Sequence, residues 1–258
     1  EAGTDVFAMD TASSGSTIPE FDSGFPVGFG LVKEVNGTQN WFASPRLTSG
    51  KYVRTDASNA ETNLSMMAHD SNLGWGQGGF STNYQSWMWK RHAGFDVVTY
   101  RGVGPRIAHI EHNLNKVPEM MWVKGRNLTA SWQVYHNGVN GGTNPENYFL
   151  ELNQNYGEDT GGRWNNTAPT ATHFTLGSQD QVNGAASNNY DYIAMLFASV
   201  EGISKVGYYD GQASDLTIEF GFQPRFLMVK RVDAAGDWNI YDTTRGLVSG
   251  ADQELRLN

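Results

Sequence analysis

The chain contains no cysteine, few charged residues and no long apolar run. Without cysteine it has no disulfides, no thiolate metal ligands and no cysteine nucleophile, so its stability must come from packing or assembly. No apolar stretch approaches the roughly 20 residues that a membrane-spanning helix needs, and no membrane insertion is expected. The net charge of −9 opposes a broad attraction to phosphates, so no nucleic-acid partner is expected either.

Aromatic residues, by contrast, make up 12% of the 258 residues, and glycine, asparagine, threonine and serine are abundant. This mixture supplies enough large apolar side chains for a core and differs from the composition of disordered chains. The first residue is Glu1, without an initiator methionine or a signal-like stretch. The chain is therefore expected to be a piece cut from a longer polypeptide.

A short apolar segment that follows a proline and ends in Val-Lys occurs three times, at residues 25–33, 117–124 and 223–230. Eight residues beyond each of the terminal lysines, Lys33, Lys124 and Lys230, stands a tryptophan, and these are Trp41, Trp132 and Trp238. Recurrence at one place in every copy favours core packing for these tryptophans over stacking on sugars. The lysines are interpreted as solvated strand ends.

Other parts of the segment also recur. Residues 132–136 match 238–242, residues 149–153 match 254–258, and residues 89–102 match 197–211. Similar strands are predicted at 6–10, 95–100 and 206–210, and short apolar strands follow at 107–110 and 217–220. The repeat predicts the end of a preceding copy at 1–20, a first unit at 21–106, a second at 107–212, and the start of a third, truncated unit at 213–258.

The alternation of apolar and polar residues in these segments, with Gly, Asn, Asp and Ser clusters between them, predicts an all-β chain. The expected architecture is tandem antiparallel β-sandwich units, jelly-roll-like, with no convincing helix. Residues 187–200 show some helical spacing, but their match to residues 87–89 favours a strand. Long loops are predicted at 70–85, 137–147 and 155–169, where the copies differ most.

No catalytic residue, metal site or cofactor is assigned from the sequence. His109 and His112 face opposite sides of a predicted strand, which disfavours a shared metal. Residues 70–72 and 156–162 carry oxygen donors beside glycines but lack the spacing of an EF-hand loop, so plain turns are favoured over calcium sites. Four carboxylates leave a glycosidase pair open, because sequence does not show which of them lie together: Glu111, Glu151, Asp191 and Glu201.

Three aromatic residues without a counterpart in the other copy lie in the Gly- and Asn-rich segments: Trp75, Tyr84 and Trp164. If a receptor or glycan site exists, these are its predicted binding residues. Packing of the same loops on a neighbouring subunit explains them equally well.

The pattern Gly-Phe-x-Pro-x, three apolar residues and Val-Lys, followed by a tryptophan and a Tyr-Asp strand, resembles repeat modules of tail-fibre and other appendage proteins of tailed, particularly marine, bacteriophages. Residues 221–247 carry the pattern best, and the match extends over nearly the whole chain. The first copy departs from it, with Ala43-Ser44-Pro45-Arg46 where Tyr-Asp is expected.

The resemblance implies a non-enzymatic structural or receptor-binding segment of a virion appendage, extracellular and expected as a homotrimer. Its expected partners are other virion proteins and copies of itself, with a host-surface glycan or protein as a further candidate. A capsid decoration or head-fibre protein is an alternative of the same class. A surface-polysaccharide depolymerase domain is the enzyme alternative.

Overall fold

The computed structural model describes residues 1–13, 15, 17–247 and 252–258. Short strands make up most of the regular structure there. They are β1 (Phe7–Thr11), β2 (Phe21–Asp22), β3 (Phe29–Glu34), β4 (Phe42–Pro45), β5 (Lys51–Tyr52), β6 (Thr62–Asn63), β7 (Gly74–Trp75), β8 (Tyr84–Trp89), β9 (Phe95–Arg101), β10 (Ala108–Glu111), β11 (Met120–Gly125), β12 (Gln133–His136), β13 (Tyr148–Glu151), β14 (Asp159–Thr160), β15 (His173–Leu176), β16 (Asp191–Phe197), β17 (Phe226–Lys230), β18 (Trp238–Asp242) and β19 (Leu255–Arg256).

Helical structure in the described residues is limited to one short α-helix and single turns of 3-10 helix. They are α1 (Asp180–Asn183) and the 3-10 turns Gly3–Asp5, Arg46–Thr48, Ser65–Met67, Val139–Gly142, Pro145–Asn147, Gly162–Trp164 and Ala186–Asn188. None of these helices is long enough to cross a bilayer.

The strands form three main sheets and three two-stranded ribbons. The first sheet has the order β1-β8-β3-β4, the second β14-β13-β12-β11-β16-β9, and the third β17-β18-β19. The ribbons are β2-β7, β5-β6 and β10-β15. Every paired strand runs antiparallel to its neighbour. The predicted all-β, antiparallel, sandwich-type fold is confirmed, and residues 187–200 contain strand β16 as expected.

The inner faces of the three sheets pack against one another in a single central cluster. Its fully buried members come from every predicted unit: Phe29, Leu31, Trp41, Trp87, Val97, Trp122, Trp132, Val134, Leu152, Met195, Trp238, Ile240 and Leu257 are among them. The third unit contributes to this core although its strands are few. The three units therefore share this central interior.

The outer faces of the first two sheets are covered by the ribbons. The side chains of β11 point alternately to the two faces of the second sheet. Met120 and Trp122 lie in the central cluster, and Met121 and Val123 lie in a separate, outer cluster. Ribbon β10-β15 closes that outer cluster, and ribbon β2-β7 contributes to the corresponding one on the first sheet. Strands buried on both faces explain why β11 reads as a continuous apolar run.

Strand pairing groups the chain differently from the predicted unit boundaries. Strand β1, assigned to a preceding copy, pairs with β8 of the first unit. Strand β9, placed before the boundary at residue 106, pairs with β16 of the second unit. The repeated unit of the fold therefore runs from β1 to β8 in the first copy and from β9 to β16 in the second.

Two predicted strands, one at the end of the predicted second unit and one in the predicted third unit, are wrong. Residues 206–210 and 217–220 match β9 and β10 in sequence, but the structure has no strand there. Strands β9 and β10 pair with β16 and β15, and the described part of the third unit contains no counterpart of either. Without a partner, the backbone groups of these segments have no ladder to join.

Candidate functional site

The three recurring tryptophans occupy equivalent positions and link the units in a closed cycle. The indole Nε1–H of Trp41 donates to the carbonyl oxygen of Arg256 at 2.6 Å, that of Trp132 to Arg54 at 2.7 Å, and that of Trp238 to Glu151 at 3.0 Å. The first unit therefore binds the third, the third binds the second, and the second binds the first. All three rings are buried in the central cluster, as the sequence predicted.

Two of the three tryptophans share a second feature. The backbone N–H of Trp132 donates to Asn153 Oδ1 at 2.9 Å, and that of Trp238 donates to Asn258 Oδ1 at 2.7 Å. Both asparagines end the matched segments at 149–153 and 254–258. The same side-chain chemistry thus fixes the start of β12 and the start of β18.

Polar contacts reinforce the junctions between units. Arg126 forms two hydrogen bonds with the carboxylate of Glu61, at 2.8 and 3.0 Å, which joins the second unit to the first. Asp242 in the third unit accepts from Trp87 Nε1 of the first unit at 3.1 Å and from Arg245 Nε at 2.7 Å. Asp242 is fully buried, and these two donors satisfy its carboxylate oxygens within the core.

The interpretation of the repeated lysines as solvated strand ends is wrong for two of them, and the third is half-buried. Lys124 is fully buried and Lys33 is 8% exposed. Lys124 Nζ donates to Ser58 O of the first unit at 3.2 Å, and Lys230 Nζ donates to Asn155 O of the second unit at 3.4 Å. Burial lowers the pKa of Lys124 and, as the largest of several causes, that of Lys230, in each case to about 8. Lys124 and Lys230 therefore bond to a neighbouring unit, whereas Lys33 donates to the carbonyls of Gly37 and Gln39 within its own unit.

The predicted ligand-binding aromatics are placed differently from expectation. Trp75 and Trp164 are buried, and each indole N–H is engaged, with Ser86 Oγ at 2.9 Å and Tyr148 O at 2.8 Å. Trp75 lies in strand β7 and Trp164 in a 3-10 turn, so neither presents a ring face to a ligand in this structure. Tyr84 begins β8 and is half-buried. Ligand binding near these residues stays a prediction, with Tyr84 as the one side chain of the three that reaches solvent.

An open pocket of about 560 Å³ lies beside ribbon β10-β15, lined by His109, Glu111, His112, Asn113, Thr172 and His173. His112 is buried and uses both ring nitrogens, with Thr170 O at 3.2 Å and Leu114 N–H at 3.3 Å. Burial is the largest cause that lowers its pKa. No group of three or more metal-ligating side chains is assembled within the described residues, in this pocket or elsewhere.

Several of the remaining candidates have polar partners in the structure. Glu151 accepts from Gln133 at 3.2 Å, and Asp191 pairs with Arg101 at 3.1 Å. In segment 70–72 the Ser71 carbonyl accepts from Arg46 at 2.7 Å. In segment 156–162 the Glu158 N–H donates to Val232 O of the third unit at 2.7 Å. Segment 156–162 therefore packs against a neighbouring unit.

In the third sheet the strand that corresponds to β3 and β11 lies at an edge of the sheet. Within the described residues β17 pairs only with β18, whereas its counterparts β3 and β11 pair on both sides. Every residue of β17 is half-exposed, whereas all of β11 is buried. Tyr208 and Tyr209, in the segment that matches β9, are 58% and 50% exposed. No periodicity of the sequence distinguishes β17 from β11.

Residues 77–258 match the family model described as a domain of unknown function, DUF7483. The match begins just before β8 and includes the second and third units. No curated protein and no solved structure matches the chain.

Proposed function

The chain belongs to the DUF7483 family, described as a domain of unknown function, and we propose that it is a structural and receptor-binding segment of a virion appendage of a tailed phage, such as a tail fibre, as its resemblance to appendage repeat modules implies. The observation that carries the proposal is the cycle of three tryptophans, each anchored to a carbonyl of the neighbouring unit. Copies of one strand framework that are joined through equivalent contacts are typical of a structural protein.

Further support comes from the loops. Six asparagines, at positions 115, 140, 144, 165, 166 and 189, adopt the left-handed conformation that tight surface turns require. Loops of this kind vary without disturbing the strands, which suits attachment to changing host surfaces. The proposed partners are other virion proteins and copies of the same chain in a homotrimer, with a host-surface glycan or protein at the variable loops.

Electron microscopy of particles labelled with a gold-conjugated antibody against the purified chain tests the proposal. Label on the tail or its fibres is the expected result, and antibody pre-absorbed with the chain is the control. Label on the capsid shell replaces the tail assignment with the head-fibre alternative. Label on neither contradicts a virion role.

Sedimentation of the purified chain tests the homotrimer, since a mass other than three times that of the chain contradicts it. Incubation with envelope polysaccharide of the host tests the non-enzymatic role. Release of new reducing ends by the wild-type chain, lost on substitution of a carboxylate, would replace the structural reading with a depolymerase.

A further inference from the structure

The outer face of ribbon β10-β15 carries two histidines that lie next to each other. His109 pairs with Thr175, and Glu111 pairs with His173, so the two histidines are diagonal neighbours on one face of the ribbon. Their ring centroids are 5.8 Å apart, and the ring planes are nearly perpendicular, at 78°. His109 is exposed and His173 is half-exposed, and both border the pocket beside this ribbon.

The opposite face of the ribbon is packed against the protein. Ala108, Phe174 and Leu176 alternate with the two histidines along the strands and are buried in the outer cluster of the second sheet. Packing therefore fixes the strand positions that carry His109 and His173. A ligand site on packed strands is held more precisely than one on loops.

Hydroxyl groups contact one nitrogen of each imidazole. His173 Nδ1 lies 3.1 Å from Thr170 Oγ1, whose own hydrogen is donated to His173 O at 2.9 Å. This contact requires Nδ1 of His173 to carry the hydrogen, which leaves the lone pair of the neutral ring on Nε2. Thr172 Oγ1, at 3.2 Å from the same nitrogen, can share that hydrogen. His109 Nδ1 lies 3.3 Å from Thr175 Oγ1, so Nε2 is the nitrogen that each ring offers to a ligand.

The chemistry of the pocket favours a metal cation. Neutral imidazole nitrogens suit the late first-row transition metals. The six lining residues include no Lys or Arg, and Glu111 adds a negative charge, which disfavours an anionic ligand. Two imidazoles that share a metal at about 2.0–2.1 Å have ring centroids roughly 4.5–6.4 Å apart, for angles of about 90–180° at the metal. The separation of 5.8 Å between His109 and His173 lies in that range.

We propose that Nε2 of His109 and Nε2 of His173 bind one late first-row transition-metal ion, such as Zn²⁺ or Cu²⁺, with water in the remaining positions. His112 is closer to His109 in sequence, but both its ring nitrogens are engaged within the protein. With two protein ligands the ion is exchangeable, in contrast to structural zinc with four. The site needs only the ribbon and holds whether or not the chain is part of a virion.

Titration of the full, ¹⁵N-labelled chain with Zn²⁺ tests the proposal, since nuclear magnetic resonance distinguishes the nitrogens of each imidazole. One equivalent of Zn²⁺ should shift the Nε2 resonances of His109 and His173 together and leave the other four of the six histidines unchanged. Mg²⁺ at the same concentration should shift neither resonance, because it prefers oxygen ligands. A shift of one resonance without the other, or of neither, overturns the shared site.

The variants His109→Gln and His173→Gln each remove one ligand from a position outside the core. Both should keep the circular dichroism spectrum of the wild type and should bind Zn²⁺ at least about tenfold more weakly in calorimetry, since the loss of an outer partner alone costs about 10–100-fold. His92→Gln is the matched control, because His92 is half-buried and lies outside the pocket, and it should bind like the wild type. Unchanged affinity in either pocket variant overturns the proposal.

Discussion

The substitution Trp132→Phe breaks one of the three links in the cycle while keeping an aromatic ring in the core. It removes the Nε1–H that donates to Arg54 O at 2.7 Å and leaves that carbonyl without this partner. An unsatisfied buried group costs about 1–3 kcal/mol. The smaller ring adds about 1–2 kcal/mol through lost burial and a residual cavity. The expected loss is about 2–5 kcal/mol, a large part of the roughly 5–15 kcal/mol that stabilises a domain.

Urea denaturation followed by far-ultraviolet circular dichroism measures this loss. With a slope of about 3 kcal/mol per molar urea, the midpoint should fall by roughly 1 M. Because the units share the central cluster, the whole signal should shift as one transition. Trp164→Phe is the matched control, since its indole N–H donates to Tyr148 O at 2.8 Å within one unit. A biphasic curve in which Trp132→Phe moves only part of the signal would refute the shared core.

Three further predictions concern burial. The pKa of Lys124 is lowered to about 8, so this residue binds its proton more readily in the unfolded chain. The free energy of unfolding of the wild type should therefore rise between pH 8 and 10.5 by about 3 kcal/mol more than that of Lys124→Met. An equal pH dependence of the free energy of unfolding in the two proteins would contradict this. The pKa of His69 is lowered to about 4, mainly by burial, so the neutral side chain contributes fully to stability above pH 6.5. Between pH 6.5 and pH 4 the wild type should lose about 3 kcal/mol of unfolding free energy that His69→Phe keeps. An equal loss of unfolding free energy in the two proteins would disprove this. Gly30→Ala places a Cβ 2.4 Å from Trp75 and should cost about 1–3 kcal/mol by thermal or urea unfolding, whereas Gly207→Ala, where a Cβ meets nothing, should be neutral; equal stability of the two variants would count against the packing.

The strand framework was predictable because its signals are local. The Pro-led segments and the alternation in 238–242 lie within or beside single strands, and the spacing of eight residues from each lysine to its tryptophan spans one hairpin. They identify Trp41, Trp132 and Trp238 as core residues before any coordinates. The carbonyls that accept from these tryptophans lie in other units, and no spacing within one copy indicates that the copies close into a cycle.

The lysines show the same limit. Lys124 follows the apolar run of β11 near the end of the strand, and a charged residue at such a position is usually solvated. Its partner Ser58 is 66 residues away in sequence, so the burial of Lys124 depends on a contact between units. Strands at 206–210 were predicted by likeness to β9, and they do not form because pairing, not propensity, decides whether a short strand is stable.

Trp75 was predicted to lie in a loop because its neighbours are glycines and small polar residues. A signal for its burial existed in Gly30, since a glycine inside a strand often marks the close approach of another group. A Cβ at Gly30 would meet the indole of Trp75, so the missing side chain makes the space for this ring. Trp164 is buried as well, although the Asn-rich sequence around it predicted a loop.

Hydrogen exchange at the indole nitrogens of Trp41, Trp132 and Trp238, followed by nuclear magnetic resonance of the isotope-labelled chain, tests the central claim most directly. If the three units share one core closed by these bonds, all three indole protons should exchange with the same free energy, equal to that of global unfolding. An indole proton among the three that exchanges at a clearly lower free energy, with the other two unaffected, would contradict the closed cycle.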